Sequence, residues 1–354
     1  MRGELGHDWI YQQCIESAAN FKNYPCEVLV AKDIEKSPDS WKKVLPSHAK
    51  EPRGVIANYV YLIRLIAAIG AAVRRKSVKE DHLLLVLQSF SGMQLFAFSI
   101  ASALFNRPSR KITPVVVWRY PLQDHGSEKV GISNWLMQRF TSNPSYFSDT
   151  EPLVNHNSII LQYPISLLPI PHIDEAFRQA NVYERSKPLV CWWPGAPRKP
   201  KGLDLVTGLL ARLPTSAAIK ILAGHSSGLN SDTGHFRPVP DYLERPRYVK
   251  QMLTSDVILT PYTAHAYTMN SSGIFVEAIC AGKVVLSLEG TWMARELNKY
   301  GLKEFVLSPD IDQWLTMLIN LSEGNTDIQG FSNMRRKYLD FHSEKTFNNI
   351  FFRD

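Results

Sequence analysis

Short apolar runs alternate with longer segments of helical periodicity along the whole chain. In the first half, apolar runs predict strands at 27–31, 82–88, 114–118 and 158–161. Between them, apolar residues recurring every three to four positions predict helices at about 8–22, 55–75, 92–105 and 131–140. This alternation is typical of α/β folds with parallel sheets.

The same rhythm restarts after a proline-rich passage at 163–171. Because Pro169 and Pro171 cannot occupy a central strand, this passage predicts a linker. The second half predicts strands at 188–193, 218–223, 256–261, 283–288 and 305–307. It predicts helices at 203–213, 242–253 and 311–321, with a short one after residue 272.

The pattern therefore predicts two doubly wound domains of similar size, at 1–170 and 171–333, and a helical tail at 334–354 that packs back toward the first domain. The first domain begins with a loop and a helix, so we expect that an N-terminal strand is missing. Doubly wound sheets bind ligands at the carboxyl ends of their strands, and we expect the two domains to face a central cleft there.

Composition agrees with a two-domain globular protein. The chain has 354 residues, of which 45% are hydrophobic and 21% are charged. The longest apolar stretch, at 55–73, is interrupted by Asn58 and Arg64 and predicts an amphipathic or buried helix. The four cysteines lie far apart without metal-type spacing, which favours structural thiols in a reducing cytoplasm.

The net charge of +7 is concentrated in the first half, where residues 1–170 hold 19 Lys and Arg against 14 Asp and Glu. The excess lies mainly in two clusters, at 74–79 and 107–111. We interpret both clusters as solvated helix ends. Peripheral contact with an anionic membrane surface is the alternative. The clusters lack interleaved aromatic residues, so we do not expect nucleic-acid binding.

A small-residue turn at 271–273 separates the strand at 256–261 from the strand at 283–288. Such a turn leaves backbone N–H groups free at a helix N-terminus, which suits a phosphate. Glu277, one turn further on, is placed to accept hydrogen bonds from sugar hydroxyls. A nucleotide diphosphate presents both groups. The alternatives are that Ser272 merely caps the helix and that Glu277 complements the helix dipole.

Two segments of the second half carry a family resemblance. The segments at 193–204 (WPGAPRKPKGLD) and 271–285 (SSGIFVEAICAGKVV) resemble those of the retaining, nucleotide-sugar-dependent glycosyltransferases with the GT-B fold, close to glycosyltransferase family 4. Gly6 and His7, ahead of a helix, resemble the acceptor-side loop of that family. In place of the family's first glutamate, this chain has Met269.

The resemblance implies a set of donor-binding roles. Arg198 and Lys201 would contact the donor diphosphate, with Lys199 as a competitor for either role. Backbone donors would come from the turn, and Glu277 would hold the ribose hydroxyls. The residues implied for the diphosphate are Arg198, Lys201, Ser271, Ser272 and Gly273.

Further candidates follow the ends of predicted strands or the acceptor-side loop. On the acceptor side, His7 or Asp8 could orient or deprotonate a hydroxyl, and Arg119 is the third predicted catalytic residue. Gln88 and Ser89 also end a strand. Three residues after the strand at 256–261 are predicted to line the donor sugar: Tyr262, His265 and Tyr267. For each, surface exposure or ordinary packing is the alternative.

We expect no metal and no cofactor, because fixed cations and oriented amides can stabilise the charge on a leaving diphosphate. Asp310 and Asp312 precede a predicted helix and are interpreted as an N-cap with a first-turn acid, not as metal ligands.

The predicted activity is transfer of a sugar, of the hexosyltransferase type, from a nucleotide diphosphate sugar to a saccharide or lipid-linked saccharide in polysaccharide biosynthesis. The resemblance implies retention of configuration. Three alternatives stay open: a non-catalytic nucleotide-sugar-binding partner subunit, a sugar-nucleotide 2-epimerase and a membrane-surface scaffold.

Overall fold

A computed structural model describes residues 7–34, 37–47, 54–76, 82–88, 90–122, 127–170, 173–180, 185–230 and 234–352. The chain divides into two compact units. The first unit comprises Met1–Leu168 with Ile350–Asp354, and the second comprises Pro169–Asn349. The sequence predicts a boundary at 170/171 and a separate tail from 334.

Eleven helices and strands build the described part of the first unit. In chain order they are α1 (His7–Phe21), β1 (Leu29–Ala31), β2 (Lys42–Leu45), α2 (Val55–Lys76), β3 (His82–Leu87), α3 (Gly92–Phe105), β4 (Lys111–Trp118), α4 (Ser127–Phe140), β5 (Ser145–Ser148), α5 (Glu151–Leu161) and β6 (Ser166–Leu167). Strands β3, β4, β5 and β6 form a parallel sheet in that order, and β1 pairs with β2 in parallel.

The strand predicted at 158–161 is wrong, because these residues form the last turn of α5. Thr150 caps this helix by accepting a hydrogen bond from the Leu153 amide, and a proline occupies its first turn. Ile159 is 77% exposed, and among residues 158–161 only Leu161 is buried, so this apolar segment does not form a buried strand. The real strand is β5, four residues long and almost fully buried.

The second unit restarts with α6 (Glu175–Gln179) and contains one six-stranded parallel sheet in the order β12-β11-β10-β7-β8-β9. Its strands are β7 (Leu189–Trp193), β8 (Ile219–Gly224), β9 (Phe236–Val239), β10 (Val257–Thr260), β11 (Val284–Leu288) and β12 (Val306–Leu307). Its other helices are α7 (Leu203–Arg212), α8 (Arg245–Thr254), α9 (Ala264–Tyr267), α10 (Gly273–Cys280), α11 (Trp292–Lys299), α12 (Ile311–Glu323), α13 (Gln329–Phe341) and α14 (Glu344–Phe351), the last of which ends in the first unit.

Polar contacts tie the C-terminal helices of the second unit to its core. The Arg335 side chain donates to the carbonyls of Phe177 and Cys280, both at 2.9 Å. His342 accepts a hydrogen bond from the Ile170 amide at 3.0 Å, and burial lowers its pKa to about 3. Asp310 caps α12, as predicted, through the amide of Asp312.

Candidate functional site

The loop that follows β7 is held firmly at the carboxyl edge of the second sheet. The indole of Trp193, the last residue of β7, donates to the Lys201 carbonyl at 3.0 Å. The Thr263 amide, just past β10, donates to the Pro200 carbonyl at 2.9 Å. Gly202 has φ +87°, and a Cβ there would lie 2.2 Å from the Pro261 carbonyl oxygen. Only glycine lets the two loops approach so closely.

Lys201 is a buried cation at the centre of this loop, with 9% of its surface exposed. Among the described residues, no carboxylate lies within salt-bridge distance of its ammonium group. The Nζ atom lies 5.4 Å from the Tyr262 ring centroid and 2.7 Å from where a Cβ of Gly195 would sit. Burial, and then the charge of Arg198, lower the pKa of Lys201 to about 8. A buried ammonium group without a counterion suits an anionic ligand.

The N-terminus of α10 adjoins the same loop. The Ser272 hydroxyl accepts a hydrogen bond from the Phe275 amide at 3.3 Å, which confirms Ser272 as the cap. The amides of Gly273 and Ile274 belong to the first turn and have no acceptor within the helix. The Cβ position of Gly195 lies 3.7 Å from the Ile274 side chain. Lys201 and the start of α10 are therefore parts of one site.

Arg198 and Lys199 occupy different environments from Lys201. Both are exposed, and Lys199 opens the short 3₁₀ turn that ends at Lys201. The charge of Arg198 lowers the pKa of Lys201, so its guanidinium group lies near the buried amine. The structure thus brings Arg198, Lys201 and the turn at 271–273 together and leaves Lys199 on the surface.

The aromatic residues after β10 form a wall beside this cluster. The Tyr262 and Tyr267 rings are 4.5 Å apart between centroids. Tyr262 is fully buried, and burial raises its pKa. His265, on α9, is exposed. Of the three residues predicted to line a sugar, Tyr262 packs against Lys201, and His265 faces solvent.

Glu277 is buried and already holds two partners. One carboxylate oxygen accepts from Arg245 at 2.5 Å, and the other accepts from the Tyr248 hydroxyl at 2.7 Å. Arg245 also lies 3.5 Å from Asp174. Burial raises the pKa of Glu277, and Arg245 and Tyr248 oppose that effect. Ribose hydroxyls would have to share or replace these hydrogen bonds. Sequence reasoning missed this pairing, because Arg245 and Tyr248 lie 32 and 29 positions before Glu277.

A second polar cluster lies at the carboxyl edge of the first sheet. Arg119 follows β4 and stacks on Tyr11 of α1, with 3.4 Å between the guanidinium carbon and the ring centroid. Gln88 follows β3 and donates to the Gln12 amide oxygen at 2.7 Å. Burial, and then the charge of Asp149, raise the pKa of Tyr11. Sequence reasoning found Arg119 and Gln88 but missed the others, because the strand before Asp149 was not recognised.

The remaining predicted residues lie outside what the structure describes. Helix α1 begins at His7, but the side chains of His7 and Asp8 are not among the described parts, and neither is Ser89. Within the described ranges, no group of three or more His, Cys, Asp and Glu side chains is arranged to hold a metal ion.

Two parallel sheets, each with polar residues at its carboxyl edge, define the class of fold, and comparison with solved structures shows it to be GT-B. No protein-family model and no curated protein sequence matches the chain. The matches to solved structures are therefore likenesses of fold, at 10–14% sequence identity.

The structure of HepE from Anabaena in complex with UDP and glucose is similar over 99% of this chain and 96% of that chain, with a TM-score of 0.64 and 14% identity. The α,α-trehalose 6-phosphate synthase of Burkholderia multivorans is similar over 83% of this chain and 74% of that chain, with a TM-score of 0.57 and 11% identity. The trehalose-6-phosphate synthase OtsA is similar over 84% of this chain and 77% of that chain, with a TM-score of 0.59 and 11% identity.

Proposed function

We propose that this chain is a glycosyltransferase that moves a sugar from a nucleotide diphosphate sugar to a hydroxyl of a saccharide or lipid-linked saccharide. The observation that carries the proposal is the buried ammonium group of Lys201, which lies beside the N-terminus of α10 and lacks a carboxylate partner among the described residues. The HepE structure, which is similar over nearly the whole chain, holds UDP and glucose.

The electrostatics of the second unit suit a diphosphate leaving group. As the glycosidic bond to the diphosphate breaks, negative charge grows on the phosphate oxygens. Lys201, Arg198 and the first amides of α10 would stabilise that charge without reorganising, because the loop hydrogen bonds already fix them. An adjacent anion would also restore the ordinary pKa of Lys201 and keep it charged.

This arrangement supplies positive charge from the protein itself, so we propose that transfer needs neither a metal ion nor a cofactor. We further infer retention of configuration by front-face attack, in which the departing diphosphate takes up the proton of the acceptor hydroxyl. The role of Lys201 and α10 in that step is to hold the diphosphate oxygens in place.

The polar cluster of the first unit is proposed to bind the acceptor. Its amides, carboxylate and guanidinium group are of the types that form hydrogen bonds with sugar hydroxyls. The cluster lies at the carboxyl edge of the sheet, where parallel sheets bind ligands. Arg119, stacked on Tyr11, would orient the acceptor. Among the described residues, Cys26, Cys191 and Cys280 are free thiols, which supports a proposed cytoplasmic location.

Thermal unfolding in the presence of a panel of nucleoside diphosphates and nucleotide sugars tests donor binding, because a ligand of the folded state raises the midpoint. We expect a rise for the parent and for Lys199→Met, and none for Lys201→Met. No rise with any member of the panel would contradict the proposal.

Activity is tested with the stabilising donor and a mixture of saccharide acceptors, with EDTA present in a parallel reaction. The expected result is a glycosylated product, unchanged by EDTA. Isomerisation of the donor alone would instead indicate a 2-epimerase. Donor binding without any turnover would indicate a non-catalytic subunit.

A further inference from the structure

The outer face of α2 is a long apolar surface that no described residue covers. Five of its large side chains are strongly exposed: Val55 (72%), Ile56 (81%), Tyr59 (63%), Val60 (43%) and Ile63 (64%). Further along the same face, Ala67 and Ala71 are exposed as well. A contiguous apolar face of this kind on a folded protein marks a binding surface.

The opposite face of α2 is an integral part of the first unit. Tyr61, Leu65 and Ile69 are buried, and α2 packs along α3. At the crossing, a Cβ on Gly70 would lie 2.4 Å from the Phe105 ring, so the helices touch closely. Among the described helices, α2 is long and apolar enough to cross a membrane. If α2 crossed a membrane, it would lose its packing against α3. If it lay flat on a membrane surface, it would keep that packing.

The charges on α2 indicate which kind of surface it fits. Its 22 residues include no Asp or Glu, and its last turn is Arg74-Arg75-Lys76. Arg64 is exposed beside Ile63. Arg75 and Lys76 lie 3.2 and 3.9 Å from Glu27, so that carboxylate neutralises part of the charge. The remaining excess is positive and complements an anionic surface.

Helix α4 of the same unit also exposes apolar side chains. Helix α3 packs against both α2 and α4. On its outer side, α4 exposes Ile132 (50%) and Trp135 (58%). Tryptophan is enriched where proteins meet the membrane–water interface.

We propose that the first unit docks on an anionic lipid surface through the outer face of α2, which lies parallel to the membrane plane. Apolar side chains enter the acyl boundary while Arg64 and Arg74 remain among the headgroups, as in interfacial amphipathic helices. The proposal goes beyond sugar transfer and does not depend on it, since none of these residues lies in the loops around Lys201.

Co-sedimentation of the full chain with vesicles tests the proposal. The vesicles are phosphatidylcholine alone, or phosphatidylcholine mixed with phosphatidylglycerol. We expect binding to the mixed vesicles that weakens, without vanishing, as salt screens the arginines. Replacing two apolar anchors by Ile56→Ser with Ile63→Ser should weaken binding at least about tenfold. Tyr242→Ser, at a residue 67% exposed in the second unit, is the matched control and should bind like the parent.

Both variants change exposed side chains, and an unchanged unfolding midpoint verifies that they fold. Nucleotide binding, measured by thermal shift, should also be unchanged in both, which separates this proposal from the assignment of the donor site. Failure of the parent to bind the mixed vesicles would overturn the proposal, as would equal binding by the double variant. The parent could also form a dimer in sedimentation velocity while the double variant is a monomer. That result would overturn the proposal, because the face would then bind a second copy of the chain.

Discussion

Replacing Lys201 with methionine should stabilise the protein without ligand and abolish its response to nucleotide. The substitution keeps an unbranched side chain of similar length and removes the charge. In the structure that charge is buried, and no described carboxylate pairs with it. A residue retained for stability would give the opposite result, so the variant separates a ligand-binding role from a structural one.

The magnitude follows from the pKa. Burial, and then Arg198, lower the pKa of Lys201 from 10.5 to about 8, which corresponds to about 3 kcal/mol of folding free energy at pH 7. Loss of the contact with the Tyr262 ring would cost about 1 kcal/mol, so we expect a net gain of about 2 kcal/mol. The unfolded chain holds this proton more tightly, so the penalty is complete below about pH 8 and disappears as pH rises toward 10.5.

Urea unfolding at pH 7 and at pH 10, with and without a nucleoside diphosphate, measures these effects. The gain in Lys201→Met should shrink at the higher pH, because the parent then loses its penalty. Lys199→Met removes an exposed lysine two positions away and should change neither the stability nor the nucleotide response. A Lys201→Met protein that is less stable than the parent and still stabilised by nucleotide would refute the reasoning.

Three further outcomes follow from the packing. Glu277→Ala should lower the unfolding free energy by about 2–3 kcal/mol, since it removes the nearer carboxylate of Arg245 and the acceptor of the buried Tyr248 hydroxyl, while Glu289→Ala at an exposed site should have little effect in the same urea titration. Gly202→Ala should cost about 1–3 kcal/mol and weaken nucleotide binding in calorimetry, because φ is +87° and the new Cβ would strike the neighbouring loop. Because the pKa of His342 in the folded protein is about 3, the unfolding free energy should fall as pH drops below 6.5. His342→Gln should make that fall shallower in urea titrations at several pH values. Equal slopes for the variant and the parent would contradict the prediction.

The strands and the helix around the proposed donor site were predicted well from sequence because their signals are local. The strands predicted at 256–261 and 283–288 correspond to β10 and β11, whose apolar runs are almost wholly buried. Ser272, for which a helix cap was the alternative to phosphate binding, holds the N-terminus of α10 through the Phe275 amide. Buried parallel strands and capped helices leave strong marks over a few residues.

Features that depend on distant residues were not predictable in the same way. Arg245 and Glu277 are 32 positions apart, and nothing near Glu277 shows that its carboxylate is already paired. The segment before Asp149 forms a strand of four residues, too short for periodicity to register. The apolar residues at 158–161 gave a wrong strand prediction, because the two isoleucines among them are exposed on a helix and not buried in a sheet.

A crystal structure of the full chain with a bound nucleoside diphosphate tests the central claim most directly. The account predicts phosphate oxygens within hydrogen-bonding distance of the Lys201 Nζ atom and of the Gly273 and Ile274 amides. A diphosphate bound elsewhere on the chain, with Lys201 still lacking an anionic partner, would contradict it.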